Sequence, residues 1–150
     1  MANQAITMTK NFDLKKINLD LTKELNQAGR IIREDHFKRL ERGMGVGGPM
    51  KNLKGATVDA KGFDQILVKS GKMRNLVIDK ASKTNQEVVI HPGEKQTYKG
   101  TDVTMSDVGG FHQSGAGNLP VREWFGITKK AEKRIVKMME LEIEREIKRA

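Results

Sequence analysis

Two side chains that can do chemistry stand two positions apart in FHQSGAGNLPVREWFG, residues 111–126: His112 and Ser114. An imidazole that takes the proton of a hydroxyl turns it into a nucleophile, provided a third group orients the base. No G-x-S-x-G elbow surrounds Ser114. A histidine in a loop most often satisfies local hydrogen bonds, so the stretch reads better as a shaped connector than as a cutting site.

Two other chemistries can be weighed in the same way. The three histidines, His36, His91 and His112, have no spacing that sets two ligands on one helix face or across one turn, so no metal is expected. Gly43, Gly45, Gly47 and Gly48 suggest a phosphate-binding loop. Such a loop needs a strand before it and a helix N-terminus after it, whereas this one follows a helical pattern, runs into Pro49 and lacks G-K-[ST]. No cofactor is expected, and no catalytic residue is assigned.

Composition narrows the class further. The 150 residues fit one domain, 37% hydrophobic and 31% charged, with aromatics at only 5%, so aliphatics and eight methionines must fill the core. Lys and Arg outnumber Asp and Glu by 28 to 19, for a net charge of +9. That charge attracts polyanions without by itself making a nucleic-acid reader. A lack of cysteine rules out disulfides and thiolate zinc sites. The N-terminus has no apolar signal region and no apolar run is long enough to span a bilayer, so a soluble protein with no membrane partner is expected.

The elements that would position these residues follow from periodicity. Residues 1–12 read as a flexible arm that orders against a partner. From Asp13 an apolar stripe of Leu14, Ile17, Leu21, Leu25, Ala28, Ile32, Phe37 and Leu40 predicts a long helix, with Asp13 or Asp20 at its start and Gly43 at its end. Residues 43–62 read as a long Gly/Lys-rich loop. Leu76–Asp79 and Glu87–His91 read as a hairpin around a polar turn, with a further strand near Thr97–Val103. Thr128 should cap a final helix whose apolar positions are Ile135, Met139, Ile143 and Ile147, widened by Met138 and Leu141. The expected fold is α+β: a small antiparallel sheet packed with a long N-terminal and an amphipathic C-terminal helix. Lys51, Lys54, Lys61, Lys69, Lys72 and Arg74 form a basic cluster suited to phosphates, with only Phe63 nearby to stack on bases. A small non-specific nucleic-acid-binding protein is therefore the alternative reading.

The order of features in the C-terminal half resembles the virion-morphogenesis and tail-completion proteins of tailed bacteriophages. Leu67, Ser70, Gly71 and Met73 match a turn of the type L-x-x-[ST]-G-x-[LM]. His112, Gln113 and Gly115, then Pro120, Arg122, Trp124, Phe125 and Gly126, match H-Q-x-G followed by P-x-R-x-[FW]-[LF]-G. The resemblance covers roughly residues 63–150. The tryptophan frequent in the earlier loop of such proteins is missing, and SDVGGF stands where a Tyr-Ala pair more often precedes the histidine. Tail-completion, neck and minor tail subfamilies all stay open.

The resemblance implies a non-enzymatic structural protein at the head–tail junction of the virion, present in the host cytoplasm during assembly. It implies a homo-oligomeric, hexameric ring around the DNA channel, in non-specific contact with DNA. Its other partners would be neck and tail proteins: a connector or stopper, a tail terminator or a tail tube. Pro120 would set an extended approach. Trp124 and Phe125 would pin the connector onto the sheet or a neighbouring subunit, and Arg122 offers a fork for a carboxylate within or across subunits. The loop at 43–62, the arm and a sheet edge near Val103–Met105 are the expected contact surfaces.

Overall fold

The computed structural model describes residues 5–9, 19–50, 75–93, 107, 110, 113–115 and 122–149. Strand β1 (Ile6–Thr9) is followed by helix α1 (Thr22–Glu41), strands β2 (Val77–Asp79) and β3 (Glu87–His91), and helix α2 (Lys129–Arg149). The fold is α+β: among the described residues a three-stranded antiparallel sheet in the order β1-β3-β2 is accompanied by helices α1 and α2. Among the described residues no helix is long and apolar enough to cross a membrane.

The predicted hairpin is present, with Ile78 opposite Ile90 and Asp79 opposite Val89. The third strand comes from an unexpected place. Residues 6–9, read as part of a flexible arm, pair with β3 in the register Ile6–Ile90 and Met8–Val88. Alternation explains it: Ile6 and Met8 are half-buried against the core while Thr7 and Thr9 face out, and isoleucine and threonine suit a pleated surface. The strand expected at Thr97–Val103 lies outside the described residues, as do Asp13 and the edge at Val103–Met105.

Helix α1 begins at Thr22, later than the apolar stripe suggested, because Leu19 and Leu21 are buried without being helical. Its core face runs Leu25, Ala28, Ile32, His36, Leu40. His36, not the expected Phe37, continues the four-residue step inward; Phe37 is only half-buried. Gly29 sits where the helix approaches the sheet, and a Cβ there would lie 3.3 Å from methyls of both Ile78 and Val88. The helix ends as predicted at Gly43, φ 66°. There the Gly43 N–H donates to the Leu40 carbonyl and the Met44 N–H to that of Arg39, the paired bonds of a Schellman turn.

The start of α1 is fastened to the hairpin turn by side-chain amides. Gln86 accepts the Leu21 N–H at 2.7 Å and donates to the Thr22 hydroxyl at 2.6 Å and the Ser82 carbonyl at 2.7 Å. Asn26 accepts the Ala81 N–H and donates to the Ala81 carbonyl, acting as a strand neighbour would. Asp20 accepts from the Thr22 hydroxyl and N–H. These bonds, the hydroxyl's first, hold its carboxyl below the usual 3.8. A folded-state value below the unfolded one adds stability above the unfolded pKa and loses it as pH falls through the folded one. The destabilisation caused by Asp20→Ala is therefore expected to be present near neutrality and to shrink toward zero as the pH falls through the lowered folded-state value. Urea unfolding across an acid series checks it.

Candidate functional site

The described part of the connector, Arg122–Gly126, lies between α1 and the turn that follows it. Trp124 is fully buried and Phe125 is 7% exposed. The Trp124 and Phe125 rings are 5.4 Å apart between centroids. The His36 ring lies 5.3 Å from Trp124 and 6.3 Å, edge-on, from Phe125. These distances are those of packed aromatic clusters, and His36 at 1% exposure has no path to a substrate.

Polar groups fix the backbone of this aromatic pair from two sides. Gln113 Oε1 accepts the N–H groups of Trp124 at 3.1 Å and Phe125 at 3.2 Å, while its Nε2 donates to the Phe125 carbonyl at 3.3 Å. From α1, the Arg39 guanidinium donates to the Trp124 carbonyl at 3.1 Å and to Asp35 Oδ2 at 2.9 Å. Asp35 Oδ2 also accepts the Thr128 hydroxyl at 3.3 Å, and Thr128 Oγ1 accepts the Ala131 N–H as the predicted cap of α2. One continuous set of bonds thus joins α1, the connector and the start of α2. Arg122 is 6% exposed, and burial draws its guanidinium below its usual range.

The glycine-rich stretch packs on the same connector. Gly45 donates to the Gly48 carbonyl and Met50 to that of Gly43, closing a tight turn whose Met44 and Pro49 form a bridge. Val46 donates to the Glu123 carbonyl at 2.8 Å. A Cβ on Gly45 would sit 2.6 Å from the Glu123 oxygen, so glycine here permits close backbone approach and no phosphate is needed to explain it. Gly126, φ 154°, turns the chain beside Val46. Residues 43–50 of the expected long loop therefore form a docked turn; residues 51–62 lie outside the described residues.

No protein-family model, no curated protein and no solved structure matches this chain. The geometry alone must then say what the site residues do. Gln113, Arg122, Trp124, Phe125 and Gly126 come together in the fastened connector, and Gly115, φ 71°, follows the helical residues Gln113 and Ser114. Leu67, Ser70, Gly71, Met73, His112 and Pro120 lie outside the described residues, as do Lys51, Lys54, Lys61, Lys69, Lys72 and Arg74. Ser114 Oγ donates to the Gly110 carbonyl at 2.9 Å. His91 accepts the Gly93 N–H at Nδ1 and bonds Asp79 through Nε2 at 3.0 Å, tying the two hairpin strands. Among the described residues no three His, Asp or Glu side chains gather as metal ligands.

Sequence reasoning missed the partners on α1. Spacing singles out His36 only as a candidate metal ligand. The signal available was the i,i+4 pair Asp35–Arg39, which lies on the face bearing Leu40 and next to His36.

Proposed function

We propose that this chain is a structural virion protein of a tailed phage, a tail-completion or head–tail connector subunit that forms a ring around the DNA channel. The motif resemblance supplies the class. The observation that carries the reading is the fastening of Trp124 and Phe125: the described motif residues are engaged in holding the connector to α1, with Gln113 and Arg39 gripping its backbone. A joining subunit must transmit force between unlike neighbours without unfolding, and a connector tied to both helices suits that task. Trp124 serves as an intrachain anchor, which leaves other surfaces for neighbours.

The test is reconstitution. Heads and tails from a phage stock lacking this chain are expected to stay separate and to join into infectious particles when the purified protein is added. Protein that binds neither heads nor tails overturns the reading.

A further inference from the structure

Helix α2 presents two unlike faces toward solvent. Its buried residues, Ala131 and Ile135, lie near its start, and from Glu140 onward no residue is buried. With 100° between successive residues, Arg134, Met138 and Leu141 share one side, while Glu140, Glu144 and Ile147 share another, about 120° around the axis; Ile143, at the edge of the second side, is half-buried and packs on the chain's own core. The first side forms a groove with α1 of about 410 Å³, lined by Lys23, Arg134, Lys137, Met138 and Leu141 among others. Arg145 and Glu142 in that lining neutralise each other at 2.9 Å. Among the described residues Lys23, Arg134 and Lys137 carry no ion pair, so three cations stand there against Glu24. Glu140 and Glu144 on the second side are exposed and carry none either. Leu141 in the groove is 49% exposed and Ile147 on the other side 52%.

We propose that the occupant of this groove is a second copy of the chain: the C-terminal half of α2 of one protomer lies in the α1–α2 groove of the next. Glu140 and Glu144, one helical turn apart, face Lys23, Arg134 and Lys137, and Ile147 covers Leu141 and Met138. Charge complementarity selects this occupant, because Glu140 and Glu144 carry the sign opposite to the groove's three unpaired cations, while Ile147 gives Met138 and Leu141 an apolar partner. The contact joins unlike faces, so each protomer keeps one groove and one strip free for the next, the requirement for a closed ring or an open filament. The inference rests on the ring reading only for closure. Its test uses the purified chain alone, so it and the head–tail joining role can fail separately.

Sedimentation velocity over a concentration series is expected to show growth beyond a dimer that weakens at 1 M salt, where the screening length is about 3 Å. R134E/K137E reverses the groove and E140K/E144K reverses the strip; Glu, Lys and Arg are all good helix formers, so α2 is retained. Each variant alone is expected to be monomeric. Mixed in equal amounts they regain assembly, since each reversed surface meets its complement. A wild-type chain that stays monomeric, variants that assemble like wild type, or a mixture that stays monomeric overturns the proposal.

Discussion

Trp124→Ala is expected to remove about 3–5 kcal/mol of folding stability, the range for deleting a fully buried large aromatic side chain. Native domains of this size hold only about 5–15 kcal/mol, so the loss is a large share of the whole. The indole is fully buried, contacts the rings of His36 and Phe125, and belongs to the cluster that includes Ile32, Leu40, Ile90 and Ile135. Its removal leaves a cavity between α1 and the connector that the Gln113 and Arg39 bonds prevent from collapsing. Trp124→Phe keeps an aromatic ring and should retain most of the stability. Thermal unfolding by circular dichroism measures both, with a drop of about 10 °C expected for the alanine variant.

Arg39→Met should cost about 2–3 kcal/mol, for a different reason. The methionine fills the space but donates nothing, so the Trp124 carbonyl is left buried without its Arg39 bond and Asp35 loses its cation. The Asp35 side chain is 25% exposed, and water offsets part of the ion-pair loss. Arg39→Lys cannot span both acceptors with one ammonium and should fall between methionine and wild type. Because Trp124 is the chain's single tryptophan, its fluorescence during urea unfolding reports the connector itself. A double-mutant cycle with Asp35→Asn is expected to show coupling of about 1 kcal/mol, since the two side chains touch.

The sequence made legible those features whose cause is local. Two β-branched runs around a polar turn became the hairpin, Gly43 stopped α1 and Thr128 started α2, because propensity and capping act over a few residues. What stayed hidden depends on partners far along the chain. Strand β1 is four residues long and has no turn tying it to β3, so its two apolar positions are too short an alternation to mark it. Leu14, Ile17 and Leu21 carried the predicted stripe back beyond Thr22, where α1 begins. Asn26, Gln86 and Gln113 look like surface residues in a sequence, yet each bonds the backbone of a distant segment, Asn26 and Gln113 at two or more atoms. Of the candidate site, the connector aromatics and Gln113 were singled out by the motif. Their fastening by His36 and Arg39 was not, since a helix face reveals its burial only once the neighbour is known.

The central claim is that the connector fastens and breaks no bond. Under the virion role proposed above, it is tested most directly by restoring phage lacking this chain with four variants of it and counting infectious particles. His112→Ala and Ser114→Ala are expected to support joining at wild-type levels, whereas Trp124→Ala and Gln113→Ala fall in proportion to their lost stability. A His112→Ala protein that folds and assembles normally yet yields no infectious particles would contradict the account.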